Sequence, residues 1–222
     1  MTKTEERPAD RSMLILLGDT RSKENIATCC LKGWGRMFLT SVPRPYPSER
    51  WGFDNGAYGA WLRGEKFPEA AFLRRLDRAH QTALEPYLAV CPDIVAGGLR
   101  SLEFSLSWRM SRKLPSTWPW YLAIQDGMTH EAVEQAGRLF DGLFLGGTDG
   151  FKLRAYSWKK LADQHGLKFH YGRAGTRTKL QHAYEIRANS LDSSFPLWTR
   201  ERMKLFGLWV EGLGLQKRFE GV

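Results

Sequence analysis

Residues 188–194, near the end of the chain, read Ala-Asn-Ser-Leu-Asp-Ser-Ser. A short run of this kind between turn-forming residues predicts a β-strand over 189–191, followed directly by the carboxylate of Asp192. If earlier strands also end on polar groups, Asp192 belongs to a ring of such groups around one pocket. The fold therefore depends on whether the rest of the sequence repeats the pattern.

The pattern recurs along the whole chain. Apolar or β-branched runs between turn signals predict eight strands, at residues 13–17, 37–42, 51–53, 87–91, 120–124, 142–145, 168–171 and 189–191. Most are followed by a polar or glycine-rich step and then by a segment with helical periodicity. This alternation predicts one domain over residues 13–222, a (β/α)8 TIM barrel with its active site at the carboxyl ends of the strands.

The predicted strand ends place several polar side chains around one mouth. These are Asp19, Asp54, Asp93, Gln125, Arg173 and Asp192. Asp54 and Asp192 form a candidate pair of catalytic carboxylates, although Asp54 also fits an ordinary Asp-Asn-Gly turn. Two carboxylates suit glycosidic-bond chemistry, in which one attacks or shields the anomeric carbon and the other transfers a proton.

Other groups at the predicted mouth suit recognition of a base. Asp93 offers an acceptor and Gln125 an amide, which together match the edge of a purine-like base. Gly146 and Gly147 would let backbone amides approach that base. Loop capping by the two polar side chains, and a plain Gly-Gly turn, are the competing interpretations.

The charge balance favours a polyanionic partner. The chain has 33 Lys plus Arg against 24 Asp plus Glu, a formal net charge of +9, and neutralising phosphates releases counterions. Arg173 and Arg177 flank the start of a predicted helix after the seventh strand, where barrels often hold phosphate. The proline-rich segment 43–47 predicts an extended rim loop with Arg44 and Tyr46 exposed. Structural ion pairs and a merely basic surface remain the alternatives.

Length and composition limit the remaining possibilities. A chain of 222 residues is long enough for one well-buried domain, and the charged residues 1–12 predict a flexible leader. The three cysteines form no disulfide framework, so we expect a reducing compartment. The spacing of cysteines and histidines predicts no zinc site and no metal cofactor. With no signal peptide or transmembrane run in the sequence, we expect a cytoplasmic protein without membrane association.

Six short blocks, in order, carry a resemblance to a known family. They are Phe-Asp-Asn-Gly-Ala at 53–57, Cys-Pro-Asp at 91–93, Ala-Ile-Gln-Asp-Gly at 123–127, Leu-Gly-Gly-Thr at 145–148, His-Tyr-Gly-Arg-Ala-Gly-Thr at 170–176 and Ser-Leu-Asp-Ser at 190–193. From about residue 50 to 195 the chain resembles the tRNA-guanine transglycosylase superfamily. It is most similar to the DNA-modifying branch, the 7-deazaguanine DNA transglycosylases of phages and bacterial modification islands.

The resemblance implies base exchange without a cofactor. Asp192 would be the nucleophile that attacks C1′ and holds the sugar covalently. Asp54 would be the general acid/base for departure of guanine and entry of a 7-deazaguanine such as preQ0, while Asp93, Gln125 and Gly147 would read the base. The implied partners are DNA, the free 7-deazaguanine base and accessory modification proteins. A phage-encoded chain would act in the host cytoplasm.

The sequence departs from the tRNA enzymes at two places. Those enzymes carry a Cys-rich zinc site with a histidine after the nucleophile strand, and nothing of that kind follows Asp192. The barrel is therefore expected to lack the zinc subdomain, which favours DNA over tRNA. Asn55 follows Asp54 where the tRNA enzymes favour serine and two glycines. Guanine exchange in tRNA, a non-catalytic base- or nucleotide-binding barrel and a hydrolytic glycosylase are the alternatives.

Overall fold

A computed structural model describes residues 13–219, without the side chains of residues 214–219. The predicted leader, residues 1–12, lies outside the described residues. The strands are β1 (Leu14–Leu17), β2 (Gly35–Phe38), β3 (Gly52–Phe53), β4 (Leu88–Val90), β5 (Trp120–Ile124), β6 (Gly142–Leu145), β7 (Lys168–Tyr171) and β8 (Ser190–Ser193). They pair in parallel, in chain order, and β8 pairs with β1 to close the barrel. The predicted (β/α)8 TIM barrel is confirmed.

The helices surround this barrel. They are α1 (Lys23–Lys32), α2 (Ala57–Leu62), α3 (Glu69–His80), α4 (Leu99–Met110), α5 (His130–Gly137), α6 (Asp149–Lys152), α7 (Ala155–Gln164), α8 (Arg177–Glu185) and α9 (Arg200–Phe219), with a 3-10 turn at Phe195–Leu197. A loop over residues 39–51 joins β2 to β3 in place of a helix. None of the described helices combines the length and the apolar composition that crossing a membrane requires.

The alternation of side chains along the strands creates two cores. One cluster contains Leu14, Leu16, Met37, Leu88, Val90, Tyr121 and Ala123 and fills the barrel. The other positions of the same strands, such as Ile15 and Leu17, pack against the helices. Gly142 makes room for the ring of Tyr121, because a Cβ on this glycine would lie 2.6 Å from the ring. Glycine is thus required where a large side chain fills the interior.

β2 differs from its prediction. The sequence predicted a strand over 37–42, but the strand ends at Phe38. The carboxylate of Asp19 accepts hydrogen bonds from the backbone N–H groups of Thr40 (2.8 Å) and Ser41 (3.0 Å) and from both of their hydroxyls. These residues satisfy their donors on a side chain instead of a neighbouring strand, so the chain leaves the sheet early.

The prediction that Tyr46 is exposed on the rim is wrong. Its hydroxyl donates to the carbonyl of Cys29 (3.2 Å) and contacts that of Trp34, so the ring is half-buried beside α1 and the start of β2. Glu49 holds the same loop through a buried ion pair with Arg36 (2.8 Å). A buried pair with complete hydrogen bonding orders this loop, and it draws Tyr46 down the side of the barrel.

Candidate functional site

A small pocket opens at the carboxyl ends of the strands. It encloses about 130 Å³, and its lining is Asp54, Asn55, Tyr58, Val90, Asp93, Val95, Ala123, Ile124, Gln125, Phe144, Gly146, Gly147, Arg173 and Asp192. The two predicted catalytic acids, the four residues predicted to contact a base, and Arg173, which was predicted to bind an anion, are all in this set. Pockets for drug-sized ligands are typically about 300–1,000 Å³. This one therefore suits a single planar group of the size of a base.

The sequence predicted that Asp192 follows the last strand, but the structure shows it within β8. In β8 the apolar Leu191 packs among the helices, so the period of two turns Ser190 and Asp192 toward the barrel interior. The Oδ1 atom of Asp192 accepts hydrogen bonds from the backbone N–H of Arg173 (3.1 Å) and contacts Nε2 of His170 (3.0 Å). Two contacts on one oxygen fix the orientation of a carboxylate that also borders the pocket.

His170 is the partner of Asp192 that the sequence did not identify. The ring is completely buried and stacks on Phe144, with centroids 4.6 Å apart. Its Nδ1 lies 2.8 Å from the hydroxyl of Ser190, which is its register partner on β8. If that hydroxyl donates to Nδ1, the Nε2–H group donates to Asp192, and both ring nitrogens have a partner. The available signal was a histidine between the buried residues Phe169 and Tyr171 of one strand.

One peptide unit connects Asp192 to a buried lysine. The ammonium of Lys152 donates to the carbonyl of Gly172, and the N–H of the same peptide, on Arg173, donates to Asp192. A trans peptide points its C=O and N–H in opposite directions, so holding one end aims the other. Arg173 has a left-handed φ of +55°, which is unfavourable for a residue other than glycine. Backbone strain of this kind concentrates at functional sites.

Burial changes the acid–base properties of Lys152. The side chain is 2% exposed, and burial, assisted by the charge of Arg173, lowers its pKa from 10.5 to about 7. The charge of Asp192 acts in the opposite direction. Nothing in the sequence indicated that Lys152 is buried with a lowered pKa, because it has the pattern of an ordinary basic residue at the end of a short helix.

Two further carboxylates face Asp192 in the pocket. Burial raises the pKa of Asp54, and the charge of Asp192 raises it further, although a hydrogen bond from the N–H of Gly56 (2.8 Å) opposes this. Burial and the charge of Asp54 raise the pKa of Asp93 to about 6, against a hydrogen bond from Asn55. Environments that raise the pKa of a carboxyl group prepare it to hold or transfer a proton near neutral pH.

Asn55 and Gln125 line the pocket with these acids and are held by hydrogen bonds. The amide nitrogen of Asn55 donates to Asp93 Oδ1 and to the carbonyl of Cys91, both at 2.7 Å. Gln125 donates to the carbonyl of Ile94 (3.0 Å). Fixed donors and acceptors of this kind can discriminate between base edges because a mismatched ligand leaves a buried polar group unpaired.

Arg173 reaches across the mouth. Its guanidinium carbon lies 4.4 Å from the centroid of the Tyr58 ring, and Nη2 donates to the carbonyl of Gly147 (2.5 Å). A side chain that begins after β7 therefore contacts the loop after β6 and the helix after β3. The guanidinium and the phenol ring cover part of the pocket and place a positive charge at its opening.

The remaining predicted residues lie elsewhere. The prediction that Asp19 belongs to the ring is wrong, since its carboxylate caps the loop after β2 and does not line the pocket. Arg44 is exposed and borders a groove with Arg21 and Arg36, while Tyr46 is half-buried. Arg177 is exposed at the first residue of α8. Of the three predicted nucleic-acid contacts, Arg44 and Arg177 are therefore accessible.

No protein-family model matches the chain, and comparison with curated proteins finds no significant relative. Within the part of the chain that the structure describes, no group of three or more His, Cys, Asp or Glu is placed to hold a metal ion. The arrangement that remains is an oriented carboxylate, two acids with raised pKa and a base-sized cavity. These groups can perform nucleophilic substitution with proton transfer.

Proposed function

We propose that the chain is a base-exchange transglycosylase of the tRNA-guanine transglycosylase superfamily, which replaces guanine in DNA with a 7-deazaguanine of the preQ0 type. The observation that carries this proposal is the placement of Asp192. Its carboxylate is oriented by buried His170 and by a backbone N–H, and it borders a base-sized pocket shared with Asp54 and Asp93.

In the first half-reaction, Asp192 attacks C1′ of the target nucleotide as the bond from C1′ to N9 of guanine breaks. The bonding electrons leave with guanine, and Asp54, whose pKa is raised by burial, supplies the proton that neutralises it. The sugar remains attached to Asp192 as an ester. Retaining glycosidases use the same division of roles between two carboxyl groups.

In the second half-reaction, a 7-deazaguanine enters the pocket that guanine has left. Asp54 accepts its N9 proton, the nitrogen attacks C1′ and the carboxylate of Asp192 departs. Asp93, Gln125 and Gly147 line the pocket, and in this proposal they read the base edge. Val90, Ala123, Ile124 and Phe144 provide apolar surface against its faces. This apolar lining favours re-entry of a base over attack by water, and so favours exchange over hydrolysis.

The net charge of +9 suits a nucleic acid, whether DNA or tRNA, because both carry a phosphate backbone. One feature favours DNA: residues 193–222 contain neither cysteine nor histidine, so the zinc site of the tRNA enzymes has no counterpart in that segment. The target nucleotide must leave the helix before Asp192 can reach C1′, at a cost of a few kcal/mol. An accessory protein that opens the duplex would reduce this cost.

The test is incubation of the protein with labelled guanine or preQ0 and with either DNA or tRNA, followed by nucleoside digestion and mass analysis. We expect the label in DNA, and loss of incorporation in Asp192→Asn. The matched control is Asp163→Asn, which removes an exposed carboxylate on α7 that pairs with Lys159. Label found in tRNA alone would identify tRNA as the substrate. Abasic DNA would indicate a hydrolase, and binding without exchange would indicate a non-catalytic barrel.

A further inference from the structure

We propose that an aromatic stack on α2, formed by Tyr58 and Trp61, binds the base next to the extruded nucleotide in a single-stranded stretch of the substrate. The proposal rests on the proposed function and identifies the surface that holds the polymer. The two rings lie 5.8 Å apart, with 27° between their planes. Tyr58 also lines the pocket, so the stack begins at the pocket and continues onto the surface.

The packing of α2 does not account for these rings. Ala57 and Ala60 face the barrel and are 5% and 1% exposed, whereas Tyr58 and Trp61 are 41% and 47% exposed. Trp120, by contrast, is completely buried. Leu62, next in the chain, is 63% exposed and extends the same apolar surface. Apolar surface concentrated at one place beside a pocket indicates a contact surface.

The charge beside the stack matches a nucleic-acid strand. The guanidinium of Arg173 lies over the Tyr58 ring, and Arg177 is exposed at the start of α8, four residues further along the chain. Aromatic rings that hold bases, beside cations that hold phosphates, are the combination found in proteins that bind single strands. A protein partner would use the apolar surface but would not need the cations.

The proposed reaction creates a need for such a surface. When a nucleotide is extruded into the pocket, its neighbour loses a stacking partner. A ring at the edge of the pocket can replace that partner. Trp61, one helical turn after Tyr58, is placed to extend the stack from the pocket along the strand. The surface would therefore favour an opened strand over an intact duplex.

The test is binding of labelled single-stranded and duplex oligonucleotides to the full-length protein, measured by fluorescence anisotropy. Stacking on an aromatic side chain implies about 5- to 150-fold weaker single-strand binding by Trp61→Ala. Trp61→Phe should retain most of the affinity, because it keeps a flat ring. The matched control is Tyr156→Ala, which removes a 69% exposed ring on α7 that borders a different groove. It should bind as the wild type does.

Binding of free guanine, measured by calorimetry, should be unchanged in Trp61→Ala, because Trp61 does not line the pocket. If the wild type exchanges bases but Trp61→Ala binds single strands within twofold of it, the stack is not the strand-binding surface and the proposed function stands. Equal weakening for single strands and duplex would also overturn the inference. If the wild type exchanges no base but its single-strand affinity depends on Trp61, the surface is retained and the proposed function fails.

Discussion

Replacement of Lys152 by methionine should remove a specific pH dependence of stability. The ammonium is buried, contacts the carbonyl of Gly172 and lies 5.3 Å from the centroid of the Tyr171 ring. Its pKa in the folded protein is about 7, whereas that of a lysine in an unfolded chain is about 10.4. Between these values the unfolded chain binds a proton that the folded chain does not.

The sign and the size of the effect follow from this difference. The free energy of unfolding rises with pH wherever the unfolded state binds more protons. The slope reaches about 1.4 kcal/mol per pH unit once the folded-state lysine has lost its proton. Allowing for half-titration at pH 7, the contribution of Lys152 should grow by about 1.5–2 kcal/mol between pH 7 and 8.5.

The assay is urea unfolding of the wild type and of Lys152→Met at pH 6, 7 and 8.5. Loss of the hydrogen bond to Gly172 changes the variant's free energy of unfolding by an amount that is nearly constant with pH. The pH-dependent part of the difference in unfolding free energy between the two proteins therefore reports the titration of Lys152. Cys29, with a pKa raised to about 12 by burial, acts oppositely at higher pH but equally in both proteins. Parallel stability curves for the two proteins would refute the reasoning.

Lys159→Met on α7 is the matched control for that experiment. Lys159 is also buried, but its ammonium contacts the carboxylate of Asp163. The difference in unfolding free energy between the wild type and Lys159→Met would grow in the same way only if removal of any buried lysine produced the effect. Growth of the same size from pH 7 to 8.5 would therefore contradict a specific role of Lys152. The conclusion about Lys152 requires that the difference in unfolding free energy from the wild type grows with pH for Lys152→Met and not for Lys159→Met.

Four further outcomes are expected. Asp192→Ala should abolish base exchange without lowering the thermal unfolding temperature greatly, and near-native turnover would exclude it as the nucleophile. Asp54→Asn should reduce turnover much more than DNA affinity in steady-state assays, and a loss of affinity alone would make Asp54 a binding residue. Affinity for free guanine should fall as the pH drops through about 6, where Asp93 gains a proton and stops accepting from the base, and Asp93→Asn should flatten this profile. DNA affinity should fall steeply with salt, and a flat plot of log affinity against log salt would contradict phosphate binding.

The barrel and the residues of its pocket could be predicted because both depend on local patterns. Strand-forming runs followed by polar steps mark the strand ends, and parallel strands of a closed barrel bring their carboxyl ends together. Asp54, Asp93, Gln125 and Asp192 could therefore be assigned to one mouth without coordinates. The limit of this reasoning is visible at β2, where the side chain of Asp19 replaces the sheet as the partner of residues 40 and 41.

The contacts that give these residues their chemical properties are not local. His170 on β7 contacts Asp192 on the neighbouring strand β8. Lys152 is connected to Asp192 through the Gly172–Arg173 peptide, which lies twenty residues further along the chain than Lys152. Tyr46 is turned from the rim by a carbonyl of α1. A periodic pattern reports which face a side chain occupies, but burial and charge depend on which distant segments pack against it. The order of strands and polar residues along the chain therefore determines the fold and most of the residues that line the pocket. The orientation of the pocket side chains and their pKa values depend on three-dimensional packing.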